Sequence, residues 1–324
     1  MDRDCIKQTI EALRNNDNFL ITAHVNPEGD SIGSQIAVYY LLKSLKKKAL
    51  IVNHDRVPDN LKFLAGAEVI LNDIPEDFIP ETIVVLDCPV KERAGSVSKN
   101  ILDCGTIINI DHHVSNEFFG DVNWVESSVS SVGEMVFYLF KEMQISFNKE
   151  VIEAIYTAIV TDTGMFNYNN TSNETHKVAG ELIAAGVNPK EMHGKIFENK
   201  SISDIRLLGR ALADIRLEAG GRIAFMTLTQ KMYEEEGVEE ISTDEFINFP
   251  RSLKGVEIAV FLKENSVPEK INVSFRSKGK VDVNMLASKF GGGGHAQASG
   301  CILNYVLEEA RKRILEESIK ALGS

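Results

Sequence analysis

What this 324-residue chain lacks narrows its class first. Cysteine is scarce: four residues, at positions 5, 88, 104 and 301, with no two at a C-x-x-C spacing. That excludes a thiolate zinc module or a disulfide framework and leaves small buried thiols in a reducing compartment. No run of 18 apolar residues occurs, so no transmembrane helix is expected. The opening residues, MDRDCIKQTIEALRNN, hold no apolar signal core, and a cytoplasmic protein without membrane association is expected. Basic charge is short as well: 35 Lys and Arg face 47 Asp and Glu, for a net charge of −12. That balance argues against a protein that coats duplex DNA. The single tryptophan, Trp124, reads as a packing residue.

What is present is ordinary for a globular chain: 44% hydrophobic and 25% charged residues. The length fits about two domains. Charge is uneven along it. Residues 246–300 carry eight Lys or Arg against four Asp or Glu, while the remainder carries 27 against 43. An acidic body with one basic segment suits a small anionic ligand.

The first half alternates short apolar runs with helical repeats. Strands are expected at 19–23, 50–53, 83–86 and 107–110, with helices from 32, near 131–143 and at 149–160. Continuous apolar strands separated by helices indicate a parallel α/β sheet with right-handed crossovers. A break falls at 191–205, after the helix stop Asn188-Pro189. It separates an expected domain at 1–190 from a second at 206–324. There a helix over 202–218 precedes strands at 223–228, 256–261 and 271–275, and a charged helix closes at 305–322.

Chemistry concentrates where strands end, the place where open parallel sheets bind ligands. His24-Val25-Asn26-Pro27-Glu28-Gly29-Asp30-Ser31 offers an imidazole and two carboxylates in one turn, a set suited to a divalent cation. Asp30 or Ser31 also reads as a helix N-cap. Asp87 ends an apolar strand, where it reads equally as a turn former. Asp111-His112-His113 follows another. Adjacent histidines on a strand point different ways, so one could ligate metal and the other face substrate, with Asp111 orienting an imidazole. Asp162, in Thr161-Asp162-Thr163-Gly164, follows the helix at 149–160. His24, Glu28, Asp30, Asp87, His112 and Asp162 together suffice for two cations that share one carboxylate, and oxygen and nitrogen donors favour Mn²⁺ or Mg²⁺. In the second half, Gly291-Gly292-Gly293-Gly294-His295 reads as a backbone cradle for phosphate, and Arg276-Ser277 at a strand end as a phosphate clamp.

At these residues the chain resembles the DHH phosphoesterase family. His24-x-x-Pro27-x-Gly29-Asp30, Asp87, Asp111-His112-His113 and Asp162-Thr163-Gly164 match its four motifs in order. Arg276-Ser277 and Gly292-Gly293-Gly294-His295 look like its DHHA1 substrate-binding domain. The resemblance covers nearly the whole chain and implies an N-terminal parallel-sheet DHH domain and a smaller C-terminal α/β DHHA1 domain, with the active site in the cleft between them. It implies one metal on His24, Glu28 and Asp87, and another on Asp30, Asp87, His112 and Asp162. Asp111 would support the site and His113 would face the scissile phosphate. Arg276, Ser277, Gly292, Gly293, Gly294 and His295 would hold the terminal nucleotide. The family usually has Asp where this chain has Glu28. The implied reaction is attack of metal-activated water on phosphorus, in short RNA or DNA oligonucleotides and in 3′-phosphoadenosine 5′-phosphate. A cleft between two domains suits roughly two to five nucleotides better than a long strand. A homodimer is also implied. Linear or cyclic dinucleotides are alternative substrates, and a non-catalytic nucleotide-binding module is the rival from another class.

Overall fold

The computed structural model describes residues 3–103, 105–238, 241, 243 and 245–323. The chain divides into two compact units, Met1–Asn199 and Lys200–Ser324. In the first, α1 (Arg3–Asn15) leads into β1 (Phe19–Thr22), α2 (Gly29–Ser44), β2 (Ala49–Val52), β3 (Ile70–Leu71) and β4 (Thr82–Leu86). Then follow α3 (Ser98–Asp103), β5 (Thr106–Asp111), β6 (Val122–Val125), α4 (Val132–Met143), α5 (Lys149–Asp162), α6 (Asn173–Ala184) and α7 (Pro189–Phe197).

The six strands form one parallel sheet in the order β3-β2-β1-β4-β5-β6. The chain builds outward from β1 to β3, then returns to the other side of β1 with β4. Crossovers therefore diverge between β1 and β4, and a crevice opens at the carboxyl ends of these strands. Every residue of β1 and β4 is buried, because helices or loops cover both faces. Ile32, Ile36, Met135, Val136 and Ile155 of α2, α4 and α5 pack one face. Ala94, Val97 and Ile101 cover Leu20, Ile83 and Val85 on the other. The helices meet through glycine. A methyl group on Gly33 would lie 2.3 Å from the Ala154 carbonyl oxygen, and one on Gly133 would lie 2.4 Å from Ala158 Cβ. Close approach at these points draws the starts of α2 and α4 against Ala154 and Ala158 of α5.

The second unit runs α8 (Ile202–Ala213), β7 (Arg216–Glu218), β8 (Ile223–Leu228), α9 (Gln230–Glu236), α10 (Asn248–Ser252) and β9 (Ile258–Glu264). It continues with β10 (Lys270–Ser277), α11 (Val283–Ser288), β11 (Gly293–His295), β12 (Ala298–Asn304) and α12 (Leu307–Gly323). Its sheet has the order β11-β12-β10-β9-β8-β7, parallel only between β8 and β9. In β10 the odd-numbered side chains are buried. Ile271, Val273 and Phe275 join Leu286 and Ile314 of α11 and α12 in one core.

The apolar runs of the sequence coincide with β1, β2, β4 and β5. The edge strands β3 and β6 leave no such run, being short and half-buried. The helix expected over 202–218 ends at Ala213, where its apolar face of Leu207 and Ala211 runs out, and 216–218 form a strand instead. Residues 191–205 are largely taken up by α7 and α8. Cys88 and Cys301 are buried and Cys5 is half-buried, whereas Cys104 lies outside the described residues.

Two glycine substitutions should act in opposite directions. Gly33→Ala should destabilise the chain by ~1–3 kcal/mol, because the contact with Ala154 is backbone and cannot yield cheaply. Gly180→Ala, inside α6 with nothing within 4 Å, should stabilise by ~0.5–1 kcal/mol. Urea unfolding of the full chain measures both. Equal effects would contradict the packing described for α2 on α5.

Candidate metal centre and substrate face

Each acidic or imidazole group of the first unit's cluster sits just beyond a strand or at a helix end. β1 ends at Thr22 and delivers His24 two residues later. The ring Nδ1–H donates to the Val25 carbonyl at 2.7 Å, which turns Nε2 toward Asp87 Oδ2, 3.3 Å away. β4 ends at Leu86, and Asp87 turns the chain with a φ of 53°, a left-handed conformation that Asp tolerates at modest cost. Its N–H donates to the Ile110 carbonyl at 3.0 Å, so the turn is tied to β5. β5 ends at Asp111, and His112 places Nε2 3.6 Å from Asp87, 3.7 Å from Asp162 and 3.9 Å from Asp30.

Asp30, in the first turn of α2, accepts the N–H groups of Val132 and Gly133 at 2.8 and 2.9 Å, and the Ser34 hydroxyl at 3.0 Å. It thus caps α4 from a distance of a hundred residues in sequence while facing His112. Asp162 is the last residue of α5, not a residue beyond it. The Asn170 amide holds its carboxylate at 3.0 Å and also bonds the Ser130 carbonyl at 2.9 Å.

Among the described residues, donor atoms of Asp87, His112 and His113 lie within 4.8 Å of one another, as do those of Asp30, His112 and Asp162. Glu28 belongs to neither group. It is exposed at the N-cap of α2, where its N–H donates to the Ser31 hydroxyl at 2.8 Å, a cap the sequence assigned to Asp30 or Ser31. The two adjacent histidines do not diverge. Their ring centroids are 4.9 Å apart, edge to face, because β5 has already ended and strand alternation no longer applies. His113 Nδ1 is 3.5 Å from Asp87 but donates to Asp111 Oδ1 at 2.7 Å.

Charge in this space is arranged around Asp87. Burial pushes Asp87 toward the neutral form, but hydrogen bonds from His112 and His24 outweigh it and hold the carboxyl far below its usual range. Burial opposes protonation of His112, yet Asp87, Asp162 and Asp30 raise it to about 10. His24 is raised likewise by Asp87, against the cost of burial. For Asp30, burial and then the Asp87 charge push the pKa up to about 7, against His112 and the two backbone donors. Burial also lifts Asp162 well above the carboxylate range, with Asp30, Asp87 and Glu28 adding to it and His112 opposing. Carboxylates held this close disfavour their own ionisation until a cation joins them. Two imidazoles and three carboxylates that converge and repel in this way are a donor set that fits divalent metal.

In the second unit, sheet register decides which residues share a face. His295 pairs with Ala298, and Ala298 pairs with Arg276, so the three form one row with His295 and Arg276 on the same side. Gly293, Gly300 and Ser274 form the next such row. Ser277 is buried on the opposite face, and its Oγ accepts the Gly279 N–H at 3.4 Å. Part of the glycine run serves the fold: the N–H groups of Gly291 and Gly292 donate to the Ser288 and Ala287 carbonyls and close α11. Gly292 also lies against β12, where a methyl group would meet the Gly300 oxygen at 2.1 Å.

Sequence reading passed over three asparagines that hold this centre: Asn109, Asn116 and Asn170. Asn109 left a signal, being the one polar residue in the run Ile107-Ile108-Asn109-Ile110.

The raised groups give a pH dependence with a definite sign. Asp30 has a folded pKa near 7 against 3.8 unfolded, so its folded form binds the extra proton and the metal-free fold loses stability as pH rises from about 4 through 7. His112, raised from 6.5 to about 10, loses its contribution between those values. In chelator, the thermal midpoint should therefore fall between pH 5 and 8, and Mg²⁺ or Mn²⁺ should restore more of it at pH 8 than at pH 5. Differential scanning fluorimetry checks this. A gap that stays flat with pH would contradict the arrangement.

Comparison with known proteins agrees with the geometry. Residues 18–159 match the model of the DHH family, N-terminal domain, and residues 220–324 match the DHHA1 domain. The "Bifunctional oligoribonuclease and PAP phosphatase NrnA" of Thermus thermophilus is 34% identical over 91% of this chain and 87% of its own length. Its Bacillus subtilis namesake is 31% identical over 93% of each. An exopolyphosphatase-related protein from Bacteroides fragilis has a crystal structure that superposes with a TM-score of 0.92 at 31% identity, covering 100% of this chain and 98% of that one. With both domain models matched in order and relatives of this identity along nearly its full length, the chain belongs to the DHH/DHHA1 phosphoesterases, in their NrnA-like group.

Proposed function

We propose that this chain hydrolyses short oligoribonucleotides to 5′-mononucleotides and removes the 3′-phosphate of 3′-phosphoadenosine 5′-phosphate to give AMP. The observation that carries this reading is the convergence of His24, Asp30, Asp87, His112 and Asp162 at the switch point of the first sheet. The names of the relatives from Thermus and Bacillus supply the substrates.

In this reading Asp87, which faces both His24 and His112, would hold a cation together with either imidazole. Asp30 and Asp162 would hold a cation with His112. Glu28, exposed at the helix start, would join the His24 side by swinging its longer side chain. The ions, when bound, lower the pKa of the attacking water and neutralise charge on the phosphoryl oxygens. Manganese is the working ion proposed, on the mixed imidazole and carboxylate donors. Asp111 accepts from Nδ1 of His113, which fixes the ring so that Nε2 would face the scissile phosphate and, when it carries a proton, donate to the departing 3′-oxygen. In the second unit Arg276 and His295, on one face, bind the phosphate and sugar of the terminal nucleotide beside Gly293 and Gly294. We further propose a cytoplasmic homodimer, a form supported by the family resemblance.

The test is turnover, in Mn²⁺, of a labelled RNA series from the dinucleotide to a long oligomer, alongside 3′-phosphoadenosine 5′-phosphate. Rapid cleavage is expected for the shortest RNAs, and the Asp87→Ala, His112→Ala double variant should lose at least ~10³-fold in kcat/KM. No turnover of either substrate by the metal-loaded protein would reject the reading. Arg276→Ala should raise KM ~10- to 100-fold, the worth of a charge-assisted phosphate contact, with a smaller change in kcat. A loss confined to kcat would remove Arg276 from substrate binding.

A further inference from the structure

The loop after β5 is organised by one amide. Asn116 is buried, and its Nδ2 donates to Asp111 Oδ2 at 2.6 Å and to Asn109 Oδ1 at 2.8 Å. Its Oδ1 accepts the Phe118 N–H at 2.7 Å, and its own N–H donates to the His113 carbonyl at 3.2 Å. Asn109 reaches on to the Val85 and Cys88 carbonyls, at 3.3 and 3.2 Å, on either side of Asp87. Asp111 divides its oxygens: Oδ2 takes Asn116, while Oδ1 takes the His112 N–H at 2.8 Å and His113 Nδ1 at 2.7 Å.

Asp111 and Asn109 are both 0% exposed, so no bulk water is at hand to replace a lost donor. A carboxylate turns easily about its last torsion, which is broad rather than staggered. The His112 N–H holds Oδ1 at one point, and the donor fastened to Oδ2 fixes the plane of the group that aims Oδ1 at His113 as well. Removing that donor leaves a buried oxygen unsatisfied, and rotation of the group toward another donor takes Oδ1 away from Nδ1.

We propose that Asn116 is a positioning residue whose amide fixes the Asp111 carboxylate and, through it, the ring direction and tautomer of His113. The inference rests on the functional reading only where it expects an effect on turnover.

Its test uses the full chain with ¹⁵N-labelled histidine, in Mg²⁺ because Mn²⁺ broadens the signals. Wild type should show His113 as a single Nδ1–H tautomer. In Asn116→Ala that signal should split between tautomers or broaden. His24, whose Nδ1–H is held by Val25, should be unchanged and serves as the internal control. With a short oligoribonucleotide, kcat should fall ~10- to 100-fold, as when a ligand-orienting partner is lost, with KM within about twofold. Asp111→Asn combined with Asn116→Ala should lose no more than Asp111→Asn alone. An unchanged His113 tautomer in folded Asn116→Ala, or additive losses in the double variant, would overturn the proposal. If Asn116→Ala does not fold, Asn116→Leu keeps the volume, removes both donors without adding charge and carries the same comparison. Absence of turnover by wild type rejects the functional reading, while the tautomer measurement still decides the role of Asn116.

Discussion

Crowding of like charge is the constraint on which the first unit depends. Asp30, Asp87 and Asp162 all reach the His112 imidazole within 3.6–3.9 Å, and Asp30 and Asp87 are almost wholly buried. Such a cluster opposes its own formation, since each ionised carboxylate raises the cost of the next. The protein meets this with fixed donors: imidazoles on Asp87, helix N–H groups on Asp30, an asparagine amide on Asp162. The remaining repulsion is what a divalent cation held there would relieve at once, where the donors relieve it in part.

The fold supplies what those donors need. Crossovers that diverge between the paired strands β1 and β4 leave His24 and Asp87 facing each other just beyond their carboxyl ends. Gly33 lets α2 sit on the backbone of α5 at Ala154, and Gly133 lets α4 close on the Ala158 methyl group. Only at that distance does the Asp30 carboxylate reach the first N–H groups of α4. The helix start then serves Asp30 twice: it satisfies the carboxylate and it fixes its direction. A core device and a site device are here the same contact.

The second unit works by register. Strand pairing across β11, β12 and β10 lines up His295, Ala298 and Arg276 in one row. The small residues Ala298, Gly293 and Gly300 keep that face open around the two cationic or polar side chains. Alternation along β10 sends Ser277 to the buried side, so neighbours in sequence part company in space.

The chain's own order of residues was enough for much of this. Four apolar runs named β1, β2, β4 and β5, since buried parallel strands leave continuous hydrophobic stretches. Strand-end His24, Asp87 and Asp111-His112-His113 were legible for the same reason: a polar cluster directly after an apolar run stands out. Short edge strands, half-buried helices such as α6, and the fate of 216–218 were not, because their patterns are weak and tertiary packing settles them. Glu28 shows the limit within the site. Sequence proximity grouped it with His24 and Asp30, whereas the helix that begins at Gly29 takes it as its exposed N-cap, outside the two groups of converging donor atoms. Asn116 and Asn170 had no signal at all. Asparagine in a loop is common, and its meaning came only when the chain brought it within hydrogen-bond distance of a site carboxylate, Asp111 for Asn116 and Asp162 for Asn170. Residue type and order determined which groups were available for chemistry. Three-dimensional closure alone decided which of them face one another, because hydrogen bonding and electrostatic repulsion act over a few ångströms of space and take no account of distance along the chain.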